Sequence, residues 1–552
     1  MDYEQAELAR QKIDAEIHQL RARISFLASK RNTLAPISRL PPEIMTAIFL
    51  KARLATVSTP KSRFVAFISW VCRDWREMSF GCSKLWSWLD LQHPDAVDAF
   101  LERSRKARLT ITLEKLQPSH STSIASIINQ LPRTKSLSLE GDFPDRVTDE
   151  PDLTFEFDGT LSAPNLKVLS LRGFTLPIES LSTGAPLLKD LKLQGCSFSW
   201  THPMFASLTS LKISYPTIQI QIDSFILIIS QMPNLSWLTL DFALCQDDMT
   251  IGTAPGTPIS LPKISSVCLQ QDSADTLVYL LERVEFPASA YLGFSLRGTL
   301  DETVDGIPEA IAHCRDSEWD LDHLRIARSI GDTVIDMHSD EELESTSSIT
   351  LYCPPFRHPT FWLQMVQALD LTYLDRLEIS EPFIESFQPF WRPIFGDLQN
   401  LRVIKVRDKA AYSFLHYLVE EGLKVRALEL EEKGGELGDI KSDRTYEVPS
   451  ADDDDDDELT EEQEAELERF GISFWSLREL IVLFNDGDPT HFDPELVDEG
   501  AVAISLILRM CHGVGLRRFV YSGWPIEEEL LRTFEEIIPV VEDTLAYNGE
   551  GW

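Results

Sequence analysis

The sequence predicts an α+β chain: a long N-terminal helix, a small all-α module, and then a curved α/β array of parallel strands. Three observations lead there. A Leu-x-x-Leu-x-Leu pattern returns from residue 107 to the C-terminal region, a tryptophan-rich segment of helical periodicity precedes it, and one narrow apolar stripe runs along the first 34 residues. With 552 residues the chain exceeds one ordinary core, so several domains or a repeat array are expected.

Residues 1–35 carry the stripe. Ile13, Ile17, Leu20, Ile24 and Leu27 are spaced 4, 3, 4, 3, which lines one side of a helix. Such a stripe wants a facing surface. Either a second copy completes a coiled coil through residues 3–34, or the helix packs on the module that follows.

That module spans residues 36–92. In LPPEIMTAIFLKAR, Pro41 or Pro42 suits a first helical turn, where a backbone N–H has no partner, and Glu43 sits near the positive end of the helix dipole. After the polar break Ala55–Arg63, helical periodicity resumes through Phe67, Ile68, Val71, Cys72 and Trp75. Trp70, Trp75, Trp86 and Trp88 fall close together, and a module of this size has difficulty burying so many large side chains alone. Part of its apolar surface is expected to meet another protein or the next domain.

Residues 93–552 hold the repeats, among them TKSLSLEG, PNLKVLSLRG, PLLKDLKLQG, ASLTSLKIS and PNLSWLTLD. Aligned on one inward position they give Leu137, Leu169, Leu191, Leu211, Leu238, Val267, Phe294, Leu324, Ile349, Leu377, Ile404 and Leu428, with steps of 20 to 32 residues. That period is the leucine-rich-repeat one. Two leucines two residues apart point inward from a strand, and each unit stays open until the next stacks on it. Segments such as SFILIISQM and ADTLVYLLERVEF are expected as covering helices. Residues 434–470 interrupt the array, and the run ADDDDDDELTEEQEAELE alone supplies 12 carboxylates. It reads as a disordered, solvated surface loop or as an acidic docking tract.

Composition excludes whole classes of function. With 51 basic against 88 acidic residues, net −37, the chain is unsuited to general nucleic-acid binding or to anionic membranes. The eight cysteines form no Cys-x-x-Cys pair, and the charged start lacks an apolar signal segment, so a reduced cytoplasmic or nuclear setting is expected. There is no His-Glu-x-x-His, P-loop or Gly-x-Ser-x-Gly motif. His313, Cys314 and His323 come nearest to a metal set, but their spacing matches no familiar zinc site. No catalytic residue, metal or cofactor is assigned, and a non-catalytic binding role is expected.

Residues 36–89 resemble the F-box, the adaptor-binding module of cullin-based SCF ubiquitin ligases. The likeness rests on Leu40, Pro41, Glu43, Ile44, Ile48 and Phe49, then Val71, Cys72, Arg73, Trp75 and Arg76, then Leu85 and Trp86. The full order of short heptad helix, LPPEI, VCRDWR, LWSWLDL and irregular leucine-rich repeats is similar to the large fungal F-box families. The polar break is a departure, lengthening the module beyond a minimal F-box. The resemblance implies that Leu40, Pro41, Glu43, Ile44, Ile48, Phe49, Val71, Cys72, Trp75, Leu85 and Trp86 form the surface for a Skp-type adaptor and, through it, a cullin. For Val71, Trp75 and Trp86 the other reading is core of the module itself, because a binding module's own core uses the same residue types.

A target protein, whose identity the sequence does not give, would lie on the outward strand positions, where Lys192, Lys212, Trp237, Thr239, Arg297, Glu378 and Lys405 are the candidates; Trp237 is the best anchor by residue type. The alternative is an interaction scaffold with no link to ubiquitination.

Overall fold

A computed structural model describes residues 3–55, 61–91, 96–141, 153–154, 162–176, 185–245 except 202, 258–297 except 272 and 288, 306–314, 321–329, 332–338, 348–353, 364, 368–369, 371–380, 391–432 except 397, 467, 469, 472–484 except 475, and 499–543 except 512, 513 and 525. The architecture is a helical N-terminal region followed by a large, mostly parallel sheet with helices. The chain divides into two compact units, Met1–Gln219 and Ile220–Trp552.

The first unit opens with α1 (Tyr3–Asn32), α2 (Pro42–Ala55), α3 (Lys61–Val71) and α4 (Arg73–Gly81). Pro42 takes the first helical position of α2, and the Pro41 carbonyl accepts from the Ile44 and Met45 amides, each at 3.1 Å. The proline pair therefore starts the helix where the missing donor costs nothing. The run from Phe67 to Trp75 is two helices, because Cys72 is extended and its sulfur caps α4 by accepting from the Trp75 amide at 3.5 Å.

Strands β1 (Trp88–Leu91), β2 (Leu109–Leu116), β3 (Thr134–Gly141), β4 (Val168–Arg172), β5 (Asp190–Gln194) and β6 (Ser210–Ser214) follow, each parallel to the one before. Leu89, Ile111, Leu137, Leu169, Leu191 and Leu211 stand in one register column, and all are buried. The period-2 pattern fixes that register, since a slip of one residue would turn every leucine outward. Between β1 and β3 lie α5 (Val97–Ser104) and α6 (Ser121–Ile128). The expected boundary at residue 92 is not a break in packing: the Trp86 ring meets Phe100 of α5 at 4.9 Å, and β1 is already paired into the sheet.

The second unit contains α7 (Ile222–Ser230), β7 (Trp237–Asp241), β8 (Ser266–Gln271), α8 (Ala274–Leu281), β9 (Tyr291–Leu296) and α9 (Ile307–Cys314). The helices expected in SFILIISQM and ADTLVYLLERVEF are α7 and α8, which bury Phe225, Ile226 and Ile229, and Leu277, Leu280 and Leu281. Strands β10 (His323–Ser329), β11 (Asp332–His338), β12 (Ser348–Cys353), β13 (Arg376–Ser380) and β14 (Val403–Arg407) come next. Last are α10 (Asp408–Glu432), β15 (Glu479–Leu483), α11 (Glu499–Cys511), β16 (Arg518–Ser522), α12 (Glu528–Ile537) and β17 (Val540–Asp543).

Three expectations about the array are corrected. Val267 aligns with Leu292, so Phe294 belongs to the second inward column, beside Leu269. Strand order departs from chain order: β9 pairs parallel with β12, β11 lies antiparallel to both β12 and β10, and β10 pairs parallel with β13. Leu324 thus neighbours Met337 and Leu377 rather than following Phe294. Finally, VRALELE is no strand. Leu428 lies in α10, and the strand after Ile404 is β15, where Leu480 fills the column. Phe414, Leu418, Glu421 and Val425 are buried at helical spacing, and the segment is rich in strong helix formers, so the 3.6-residue period prevails over the leucine pattern.

Helices α10 and α11 approach so closely that a Cβ at Gly422 would overlap the Ser505 hydroxyl. Between them Glu421 and Arg509 form a buried pair at 2.8 Å, which Tyr417 and the Ser473 and Phe474 carbonyls complete. The acidic part of the 434–470 insert lies outside the described residues.

Candidate functional site

Helix α2 has two apolar stripes. Met45 and Phe49, continued by the Arg53 stem, face the module's core, whereas Ile44 and Ile48, one position earlier in each turn, are exposed. Helix α3 repeats the arrangement: Val65 and Ile68 are buried, while Phe67, Trp70 and Val71 lie at 49%, 69% and 59% exposure. Spacings of three and four residues put these three on one face. The Phe67 and Trp70 rings meet edge to face at 5.9 Å, so they form a joint apolar surface.

Beneath that surface the module is rigidly tied. Arg53 donates to the Lys84 and Leu85 carbonyls at 2.8 and 2.9 Å and lies over the Trp88 ring. The Trp86 indole donates to the Ser79 carbonyl at 2.8 Å, and Arg103 of α5 stacks on both Trp86 and Phe80. Arg76 donates to the Ser69 carbonyl, fixing α4 against α3.

The sequence-assigned residues therefore separate into two groups. Leu40, Pro41, Glu43, Ile44, Ile48 and Val71 are exposed and available to a partner. Cys72 and Trp75 are half-buried, Cys72 as a helix cap and Trp75 with its ring 4.9 Å from Phe49. Phe49, Leu85 and Trp86 are core, at 3%, 0% and 2% exposure, and the expectation that they touch an adaptor is corrected: each is held by the module's own packing. Phe67 and Trp70 belong to the exposed face and were not assigned to it. Helical periodicity groups 67, 70 and 71 opposite Val65 and Ile68, but which of the two sides is outward is set by the neighbours that cover Val65 and Ile68.

The outward strand residues are distributed over both units. In the first, Lys192 and Lys212 are register partners on adjacent strands and both are exposed. In the second, Trp237 is exposed and Thr239, two residues along the same strand, is half-buried. Arg297 is exposed, one residue past the end of β9. Glu378 lies 3.4 Å from Lys405, 3.5 Å from Arg407 and 3.9 Å from Arg325, so this carboxylate is already neutralised by its own neighbours. Tyr291 lies over Gly293, where a Cβ would come within 3.1 Å of the ring, and burial pushes its phenol pKa up.

His323 and His338 face each other across β10 and β11 with ring centroids 5.8 Å apart. Burial first, and the neighbouring His338 second, push the His323 pKa below the ordinary histidine value. Among the described residues no group of three His, Cys, Asp or Glu side chains is placed to hold a metal ion. Among the same residues no helix is long and apolar enough to cross a membrane.

No protein-family model matches the chain, and no curated protein shows significant similarity to it.

Proposed function

We propose that this chain is the substrate-recognition subunit of an SCF-type cullin ubiquitin ligase: an F-box-like module grips a Skp-type adaptor, and a leucine-rich-repeat solenoid holds the target. The observation that carries the reading is that two neighbouring helices each bury one side and leave large apolar residues exposed on the other, Ile44 and Ile48 on α2 and Phe67, Trp70 and Val71 on α3. Burying a side chain of this size yields about 1.5–3 kcal/mol, so the face supplies ample driving force for a protein partner. Trp70 is its natural anchor.

The chain contributes no reacting group in this reading. It raises the effective concentration of target beside the transfer machinery, and catalysis by the assembly is a proximity effect. Trp237 is the outward residue proposed as the anchor for the target; the register-paired Lys192 and Lys212 are a separate proposed contact.

The test is co-purification with a Skp-type adaptor. Ile44→Asp combined with Trp70→Asp, both at exposed positions, abolishes binding while circular dichroism and the thermal transition stay at parental values. Adaptor capture unchanged by the double variant overturns the reading.

A further inference from the structure

Among the described residues nothing covers the apolar stripe of α1. Ile13, Ile17, Leu20, Ile24 and Leu27 are all exposed along a 30-residue helix, so the expectation of packing on the neighbouring module is not met. Set in heptads, Ile17 and Ile24 occupy position a, and Ile13, Leu20 and Leu27 position d. These five side chains form one apolar seam in a heptad frame.

Charge then selects the occupant and its direction. Residues 3–16 carry Glu4, Glu7, Asp14 and Glu16 against Arg10 and Lys12, while residues 17–32 carry Arg21, Arg23, Lys30 and Arg31 and no acid. One half of the helix is complementary to the other half. Charges flanking the seam set orientation, because like charges that face each other repel.

We infer that α1 pairs antiparallel with α1 of a second copy. In that register Ile17 faces Leu20 of the partner and Ile13 faces Ile24. Glu16 then flanks Arg23, and Asp14 flanks Arg21, twice over by symmetry. Arg10 and Arg31, at position a, face Leu27 and Ala6. A parallel pair would keep only the Glu16 to Arg21 contact and would set Arg10 against Arg10 and Arg31 against Arg31. The antiparallel pair also places the two adaptor-binding modules at opposite ends of a shared rod about 45 Å long, so neither covers the other's Trp70 face. This inference stands independently of the ubiquitin-ligase reading.

Sedimentation velocity of the full chain over a concentration series tests it, with a label carried by a non-canonical amino acid at Ser29 reporting orientation. A reversible dimer is expected, with the two labels about 30 Å apart or more along the rod, whereas a parallel pair brings them to about 20 Å or less. Arg21→Glu with Arg23→Glu weakens the dimer at least tenfold, and so does Asp14→Arg with Glu16→Arg; mixing these two variants restores it. All these positions are exposed, so the rest of the chain keeps its thermal transition. A chain monomeric at every concentration, a short label distance, or charge variants that dimerise undiminished would each overturn the inference.

Discussion

Single residues in this chain divide sharply between holding the fold and facing outward. Phe49, Leu85 and Trp86 share the sequence character of Ile44, Val71 and Trp70, yet only the second three are accessible. Phe49→Ala therefore costs about 3–5 kcal/mol of stability and lowers the urea midpoint, whereas Trp70→Ala leaves it nearly unchanged and is expected to remove the proposed adaptor affinity. Arg509 offers a second case. Replacing it with Met leaves Glu421 buried without its cation, and a loss of about 3–5 kcal/mol is expected in the same measurement. His323 gives a pH signature. Its folded pKa lies below its unfolded value of about 6.5, so on acidification the unfolded chain binds more protons and stability falls as pH drops below that value. His323→Asn flattens the decline in thermal midpoint between pH 7.5 and 5.5; an unaltered slope would show that the buried His323 contributes nothing to it.

At the scale of elements, the sequence carried the strands better than their order. Eleven of the twelve aligned positions, from Leu137 to Ile404, lie in strands, because a half-buried parallel strand shows its period of two directly. Strand order is a non-local property. The cue for its local inversion was two alternating runs, HLRIA and TVIDM, in β10 and β11, which are separated by Ile330 and Gly331 and so have hairpin spacing. The Leu428 error has another origin. Val425, the first apolar position of VRALELE, continues the buried row of Phe414, Leu418 and Glu421 at helical spacing, and residues of high helix propensity decide for α10. In the module, the spacing of large side chains gave the helices but not their outward faces, since burial depends on which neighbours arrive. The approach of α10 to α11 makes an independent expectation: Gly422→Ala drives a methyl into Ser505 and costs about 1–3 kcal/mol, read from chemical denaturation. A variant as stable as the parent would show that the two helices can separate freely at this point.

For the molecule as a whole, the proposed division of labour assigns two chemistries to two regions. The module exposes Ile44 and Trp70, apolar side chains suited to one permanent class of partner, while the outward strand residues besides Trp237 are mostly polar or charged, suited to discriminating among targets. Because Trp86 packs on Phe100 of α5, deleting residues 36–92 would open the neighbouring core and confuse the two activities. Point substitutions at the exposed face avoid that. In cells, the Ile44→Asp and Trp70→Asp double variant should keep its target but lose the machinery that consumes it. Quantitative affinity capture is then expected to recover severalfold more of the same target from the variant than from the parent chain, with the adaptor and cullin gone. Proteasome inhibition should raise recovery by the parent toward that of the variant. A scaffold without a role in degradation gives equal recovery from both chains and no response to the inhibitor, so this one comparison separates receptor from scaffold without requiring the target to be known beforehand.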